Sequence, residues 1–452
     1  MTTQKNINEL IDDLRQKGVQ IVEFLYDDYT GLTRGKTMVI DDLAAHITSG
    51  MGITKAMFAS TARDGIVEVA DMTAVGELRL VPDLDSLQIL PYAPQVATMM
   101  CDHYNTDGTR ASADPRNTLQ TIIAKLKELG LTAKMTYEHE FMLFSGTGAD
   151  KKPVNPQVCF STDAMDFAYT FLPEMLNQLR AVGITPVEYY PEAGSGQHEL
   201  PVAPAEALLA ADNEIRFKRI IKHVALEHDM SATFAPKPLL NTEGSGAHVH
   251  FSLWQDDGSN AFYDAHDDLQ LSQTGYYFIG GMLKHIQALT ALTCATVNSY
   301  QRLQPGAWSS AFATFGQDNR EAAIRVPSTF WGEEGKTMNI ELKASDATAN
   351  PYMALTGILA AGLDGIQHKI KPNLPVDVDP ASLTDNQRTE LGVQRLPASL
   401  EEALTALGQD DFYKEIFSSR TIEAYIKVKQ ADVTYFAGQT PDQIAQTHRD
   451  LY

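Results

Sequence analysis

The sequence predicts an α+β fold in which an antiparallel or mixed sheet is packed by helices. Helical and extended stretches alternate along the chain, but without the regular strand–helix–strand spacing that a parallel sheet requires. At 452 residues the chain is too long for one ordinary core, so two or three domains are expected. The best boundary is Asn105 to Arg110, N-T-D-G-T-R, which is polar and turn-prone.

Before that boundary, Ile7, Leu10, Ile11 and Leu14 recur at helical spacing and Gly18 stops the helix. Val19 to Tyr26 reads as a strand, D-D-Y-T-G around Gly31 as a turn, and Lys36 to Ile40 as a second strand. Gly65 to Val69 and Glu77 to Val81 are also strand-like, giving a small α+β unit that ends near Cys101. Beyond it, Asp114 and Pro115 open a helix with Leu119, Ile122, Ile123 and Leu126 on one face and Gly130 as its stop. A strand carrying Glu138 and Glu140 follows. Leu172, Met175, Leu176 and Leu179 mark a helix ending at Gly183, and Ile184 to Tyr190 leads into a second acidic segment. Ala247 to Leu253 alternates as a strand. Ile279 to Val297 is the most hydrophobic stretch, but Lys284, His285 and Gln287 interrupt it, so it reads as a buried helix. Glu321 to Val326 and Thr337 to Leu342 are strand-like. The last hundred or so residues are mainly helical, with Ser399 and Glu402 as a capping box.

Composition narrows the function. An apolar content of 44% is ordinary for a globular protein and argues against disorder. Cys101, Cys159 and Cys294 fit no metal spacing and cannot all pair within one chain, which suits a reducing compartment. The opening M-T-T-Q-K-N-I-N-E-L has no apolar secretion segment, so a cytoplasmic location without membrane association is expected. Thirty-six basic residues against 58 acidic ones give a formal charge of −22, a poor basis for binding nucleic acid. The acidity suits solubility, and it would also attract cationic substrates such as polyamines.

The residues that carry chemistry are acidic. Glu138 and Glu140 in Y-E-H-E-F share one face of a strand, with His139 turned away. Two carboxylates that close repel unless protonated or bridged by cations. Glu192 and Glu199 in P-E-A-G-S-G-Q-H-E-L, His248 in G-S-G-A-H-V-H and Glu341 in N-I-E-L-K complete a set of hard oxygen donors with a sparse histidine. That set suits Mg²⁺ or Mn²⁺, and two such ions beside basic side chains suit phosphoryl transfer. The basic set is Arg302, Arg320, Arg325 and Lys343, and a bend near Asn319 would let Arg320 and Arg325 face one site. Taken singly, each feature has an ordinary reading: a solvated strand face, loop surface, a satisfied core histidine, or isolated surface arginines. No phosphate-binding G-x-x-x-x-G-K-[ST], dinucleotide G-x-G-x-x-G, G-x-S-x-G or H-E-x-x-H motif stands beside them.

Taken together and in order, the segments resemble glutamine synthetase, the ATP-dependent ammonia ligase family, over nearly the whole chain. The matching stretches are P-D-L-D at Pro82, D-P-R at Asp114, Y-E-H-E-F-M-L-F at Tyr137, G-Q-H-E at Gly196 and F-A-P-K-P at Phe234. They continue with G-S-G-A-H-V-H-F-S-L at Gly244, T-V-N-S-Y-Q-R-L-Q-P-G at Thr296, D-N-R-E-A-A-I-R-V-P at Asp318 and A-N-P-Y at Ala349. The resemblance implies a β-grasp-like N-terminal domain at 1–104 and an ATP-dependent catalytic domain at 110–452 with a curved antiparallel sheet packed by helices. It implies that Glu140, Glu192 and Glu199 hold a first ion near the acid substrate, and that Glu138, His248 and Glu341 hold a second near the ATP phosphates. Two to three Mg²⁺ or Mn²⁺ ions would bind in all. Glutamate would lie beside Glu140, His248 and the Gly244 loop, with Arg302 on its α-carboxylate. Arg320, Arg325 and Glu192 become the candidate catalytic residues, the arginines neutralising phosphate during transfer. His250, Ser252, Arg325 and Asn339 would lie near the nucleotide. The family's assemblies imply a homo-oligomer of two stacked hexameric rings with active sites shared between neighbours.

The departures from the family pattern cluster on the amine side. The Asp that holds and deprotonates ammonium is replaced by Ala59 in M-F-A-S-T. The flap Glu after P-G-x is replaced by Trp308, and the Tyr lining the ammonium pocket by Cys159. A small, strongly hydrated cation needs oxygen ligands, whereas an aromatic face suits an alkyl or aromatic amine, or an alkylammonium by cation–π attraction. Glu243, Lys343 and Asn339 stand where the family usually has Asn, Arg and Arg. Lys343 keeps the charge and loses the bidentate fork. No Tyr occurs between Ile370 and Pro397, where some bacterial members are adenylylated. The expected function is therefore a γ-glutamylamide or γ-glutamylpolyamine synthetase. Authentic glutamine synthetase, with an acidic residue such as Asp64 from a neighbour replacing the missing Asp, is the alternative. A non-catalytic structural relative fits less well, since such a protein has no need of all six metal ligands with the phosphate-side arginines.

Overall fold

The structure, a computed structural model, describes residues 4–452 apart from 147, 156 and 157. The first three residues of the stretch inspected for a leader lie outside the described residues. The chain forms a two-domain α+β architecture. Ile7, Ile11 and Leu14 bury one side of the helix Gln4–Gln16. Behind it lies a six-stranded sheet with the order Thr33–Val39, Ile21–Asp27, Ala93–Asn105, Glu77–Pro82, Met51–Thr54, and with Gln88–Leu90 also on Ala93–Asn105. Ile21–Asp27 and Ala93–Asn105 run parallel; the other pairs are antiparallel. The strand expected at Gly65 to Val69 is a loop that meets Ser60 through a single bridge at Ile66. Its polar groups are used locally: Thr61 N–H donates to the Gly65 carbonyl, and Gly65 N–H to Thr61 Oγ1.

Asp114 caps the helix Pro115–Glu128, accepting from Arg116 N–H as the D-P pair predicts. The Arg116 side chain turns inward and ties the domains together. It donates to Asp102 Oδ1 and Asp83 Oδ2 of the N-terminal domain at 2.7 Å each, and to Asp212 Oδ2 of the helix Ala207–Glu227 at 3.1 Å. Asp212 also accepts from Tyr352 Oη.

The catalytic domain is built on a curved eleven-stranded sheet. Its main path runs Gln394–Arg395, Phe312–Gln317, Ala322–Val326, Ile340–Leu342, Ala247–Gln255, Leu131–Ser145, Gln197–Glu199, Tyr190–Pro191. It is antiparallel as expected except for Phe312–Gln317 beside Ala322–Val326, which is parallel. The stretch expected to be a strand from Thr337 begins pairing only at Ile340, because one helical turn, Glu334–Thr337, precedes it. Behind the sheet, the helices Gln273–Thr293 and Pro351–His368 cross closely. A Cβ on Gly281 would lie 2.0 Å from the Ala361 carbonyl oxygen, and one on Gly365 1.9 Å from that of Tyr277, so only glycine fits either position. Half of the expected capping box forms: Ser399 accepts from Glu402 N–H, while Glu402 reaches the N–H of Ala398 instead. Among the described residues, no helix is long and apolar enough to cross a membrane.

Candidate active site

Strand register assembles the site from residues far apart in sequence. Glu138 and Glu140 project from one face of Leu131–Ser145 because alternate side chains share a face. Glu199 pairs with Glu140, and His248 with Glu138. His250, on the same face as His248, pairs with Glu341, which in turn pairs with Arg325. One row of carboxylates, imidazoles and a guanidinium therefore crosses five strands. His139 faces the other way, its Nε2 against the Glu214 carboxylate and its ring stacked on Phe217.

Glu138, Glu140, Glu199 and His248 of this row line a cleft of about 940 Å³. The Glu341 end of the row is rich in cations. Arg325 Nη1 donates to Glu341 Oε2 at 2.8 Å, and Lys343 Nζ stands 3.5 Å from Oε1. His248 Nδ1 lies 3.3 Å from Glu138 Oε1 and 3.2 Å from Glu341 Oε1, and Arg302 Nη2 donates to its Nε2 at 3.1 Å. His250 Nε2 is 3.1 Å from Glu138 Oε2, and its Nδ1 2.9 Å from Asn339 Oδ1. Burial opposes every charge here, yet the neighbours prevail at three groups. The two histidines hold Glu138 well below the usual carboxylate range, Lys343 and the histidines lower Glu341, and Glu341 with Glu138 raises His250 to about 9. His248 goes the other way, lowered by burial and then by Lys343.

The opposite end is short of cations. Glu140 Oε2 accepts from Gly246 N–H at 2.8 Å and Gln197 Nε2 at 3.0 Å; Glu192 Oε2 accepts from Ala193 N–H; Glu199 Oε1 accepts from Tyr190 Oη. Burial, and then the charges of Glu138 and Glu140, push Glu199 far above the usual carboxylate range. Glu192 is raised mainly by burial. The ionised forms of Glu192 and Glu199 are thus disfavoured by burial and by their acidic neighbours, as in a donor set suited to a divalent cation.

The residues present fit such an ion. One ligand atom each from Glu138, His250 and Glu341 lies within 4.8 Å of the others, two hard oxygens and one imidazole, a set that Mg²⁺ or Mn²⁺ accepts. The sequence reading gave the histidine of this trio as His248 and placed His250 by the nucleotide. His248 Nδ1 borders the same two carboxylates, 3.3 Å from Glu138 Oε1 and 3.2 Å from Glu341 Oε1, so both imidazoles stand at this trio. Glu140, Glu192 and Glu199 come together on the adjoining wall.

Gly244, Arg302, Lys343, Arg320, Cys159 and Trp308 also line the cleft. Arg320 sits at the bend anticipated near Asn319, where Asp318 has φ 49°. Ser252 lies beyond the row, its Oγ accepting from Trp254 Nε1. Trp308 is 71% exposed on a loop with φ 53°, and its N–H donates to Glu321 Oε1 at 2.7 Å. Ala59 is fully buried in the N-terminal domain and does not reach this cleft within one chain. Asp64, the other acidic candidate, is exposed but held by Arg34 Nη1 at 2.7 Å.

Three site residues escaped the sequence reading. Gln197 orients Glu140, Tyr190 holds Glu199, and Glu321 supports the Trp308 loop. Gln197 was findable, since it shares a strand face with Glu199 two residues on. Tyr190 meets Glu199 through cross-strand pairing, and Glu321 depends on the packing of the Trp308 loop; periodicity reveals neither.

Residues 6–111 match the family model of the glutamine synthetase N-terminal domain, and residues 112–448 that of the glutamine synthetase catalytic domain. The chain belongs to the glutamine synthetase family. The chemistry of that family is ATP-dependent, amide-forming ligation. The chain is 32% identical to the glutamine synthetase of Clostridium saccharobutylicum over 450 residues, 98% of each chain. It is 37% identical to that of Pyrococcus abyssi over 398 residues, 88% of this chain and 86% of the relative. The crystal structure of a novel glutamine synthase homologue superposes with a TM-score of 0.86 at 31% identity, covering 96% of this chain and 99% of the other. GmaS in complex with ADP superposes with a TM-score of 0.84 at 29% identity over 100% of both chains.

Proposed function

We propose that this member of the glutamine synthetase family joins the γ-carboxyl of glutamate to an organic amine at the expense of ATP, through an acyl phosphate. The observation that carries the reading is the make-up of the cleft: Glu138, Glu140, Glu192, Glu199 and His248 line it with Arg302 and Arg320, and so do Cys159, Phe160 and Trp308.

The mechanism follows from that arrangement. Arg302 clamps the α-carboxylate of glutamate, and the Gly244 loop brings carbonyl oxygens to its ammonium. A γ-carboxylate oxygen attacks the γ-phosphorus of ATP and ADP leaves; Arg320 and Arg325 absorb charge on the phosphoryl oxygens as the bond is made. Glu138, His248 and Glu341, with His250 beside them, and Glu140, Glu192 and Glu199 would hold Mg²⁺ or Mn²⁺, which when bound supplies Lewis acidity to those oxygens. The amine, having given up a proton, attacks the activated carbonyl carbon and phosphate departs. Glu192, whose Oε2 stands 4.0 Å from Cys159 Sγ on the amine side, takes that proton. Trp308 covers the acyl phosphate against water and packs on the alkyl part of the amine. His250, Asn339 and Ser252 belong to the nucleotide side. The family's assemblies favour two stacked hexameric rings, in which a neighbour's Ala59 loop would close each site.

Authentic glutamine synthetase is the second reading, favoured by the relatives that share a third of this sequence over almost its whole length. The test is Mg²⁺-dependent phosphate release with ATP and glutamate against ammonium, methylamine, ethylamine, isopropylamine, putrescine, spermidine and aniline, with products weighed by mass spectrometry. An organic amine preferred over ammonium is expected; ammonium preferred over all amines would overturn the amine assignment.

A further inference from the structure

Trp308 divides two clefts. It lines both the first and a second one, of about 390 Å³, and the two also share Gly306 and Arg320. Four carboxylates line it, Asp318, Glu321, Asp377 and Asp379, against the single guanidinium of Arg320. Asp318 is already used, accepting from Ser328 N–H and Oγ. Asp379 Oδ1 accepts from Ala381 N–H at 2.8 Å, which leaves its other oxygen for the cleft.

The cleft is held in shape from both sides. Asn319 Nδ2 donates to the carbonyls of Val376 and Val378, at 2.8 and 3.0 Å, so the segment bearing Asp377 is stitched to the turn bearing Glu321. Gly316 permits this contact, since a Cβ there would lie 2.1 Å from the Val376 carbonyl oxygen. Ser310 Oγ donates to the Arg320 carbonyl and fixes the Trp308 loop to the same turn.

Glu321 is the telling residue. It is 9% exposed, its Oε1 accepts from Trp308 N–H, and its Oε2 is buried with no hydrogen-bond partner. An unpaired buried carboxylate oxygen is costly unless a cation or donor arrives. Burial, reinforced by Asp379, raises the affinity of Glu321 for a proton, as expected of a site short of positive charge.

We propose that this acidic cleft receives the far end of the amine substrate, and that this end is a second ammonium group: the substrate is a diamine or longer polyamine. One nitrogen reacts at the acyl phosphate, the methylene chain crosses the Trp308 indole, and the distal ammonium lies among Glu321, Asp377 and Asp379. The inference rests on the amine reading above and narrows it. It also gives the chain's negative charge a local destination, because field lines from a −22 protein guide a dication more strongly than a monocation.

The experiment compares putrescine with n-butylamine, which have the same carbon chain and differ in one ammonium. Values of kcat/KM, and binding by calorimetry in the presence of ADP, Mg²⁺ and glutamate, are measured for the parent, for Asp377→Asn with Asp379→Asn, and for Glu321→Gln. The parent is expected to favour putrescine by roughly tenfold or more, the scale of one charge-assisted hydrogen bond, and both variants to shrink that ratio several-fold. Equal use and equal binding of the two amines by the parent, or a preference untouched by either variant, would overturn the subsite. Turnover of n-butylamine without any putrescine preference removes the subsite and leaves the amine ligase standing. Putrescine binding that the variants abolish, with no turnover of any amine, supports the subsite and removes the ligase reading.

Discussion

Two places in this molecule gather buried carboxylates, and they are solved differently. At the domain junction Asp83, Asp102 and Asp212 surround Arg116, whose guanidinium gives them four hydrogen bonds, with Gln120 and Tyr352 completing the set. On the catalytic sheet, the Glu341 end has Arg325, Lys343 and two histidines, while Glu140, Glu192 and Glu199 rely on backbone N–H groups, Gln197 and Tyr190. At the junction the carboxylates are met by the chain's own donors, Arg116 foremost. The catalytic face is closed only when something outside the chain supplies charge. A cluster of acidic residues therefore indicates function where its counter-charges are missing, and architecture where they are present.

The sharpest break between the two comes from neutralising one carboxylate in each region's logic. Glu199→Gln removes a charge that burial and two neighbouring carboxylates oppose, so the metal-free variant should melt at or slightly above the parent temperature. Its Mg²⁺-dependent turnover should fall by roughly a thousandfold or more, because a ligand has been lost where several kcal/mol of charge stabilisation is needed. Calorimetry and phosphate release together check both halves. A large loss of stability with normal turnover would place Glu199 with the structural group.

Arg116→Met inverts the pattern. It strands three carboxylates at a dry interface and should cost about 3–5 kcal/mol, visible as a lower melting temperature and a lower denaturation midpoint. The kcat of the protein that remains folded should change little. An unchanged melting temperature would mean that the junction is hydrated and carries no such load.

A smaller effect is expected from adding a carboxylate to the face that already has too many. Trp308→Glu should move the ratio of kcat/KM for ammonium over n-butylamine upward by roughly tenfold, since it offers ammonium oxygen ligands and removes the aromatic wall. An unmoved ratio would sink the argument that Trp308 selects the amine. Ala59→Asp is not a clean companion variant, because Ala59 is completely buried and a carboxylate there would be desolvated in its own domain.

Much of this contrast was legible in the sequence, and the missing part has one physical source. Local signals held: the Asp114 cap, the helix bearing Ile7, Ile11 and Leu14, and the shared face of Glu138 and Glu140 are set by neighbours a few residues away. Cross-strand partners were not legible from periodicity. Nothing near Glu341 announces that it will face His250, and nothing near Glu192 announces a shortage of cations; both follow from pairing between segments up to about two hundred residues apart. The same cause explains the loop at Gly65 to Val69, where side-chain and turn hydrogen bonds outcompeted a weak strand pattern. It explains Glu321 as well, whose importance depends on the Trp308 loop folding over it.

The last prediction concerns protons and is the smallest in size. If protons stand in for cations at the Glu199 end, Mg²⁺ binding must expel them. Titrating Mg²⁺ into the metal-free protein at neutral pH, in two buffers of different ionisation enthalpy, should show release of up to about one proton per site filled, and an affinity that rises with pH. The sign carries into stability. A carboxyl held above its unfolded value binds more protons folded than unfolded, so the metal-free protein should lose stability as pH climbs from the usual carboxylate range toward the raised value. Saturating Mg²⁺ should flatten that slope, because the ion makes the ionised form the favoured one. The junction supplies the control: Arg116→Met should lower the whole stability profile while leaving the Mg²⁺-dependent difference in slope intact. If proton release is absent in the parent, or survives unchanged in Glu199→Gln, the two clusters are not different in kind, and the catalytic face must find its counter-charge elsewhere.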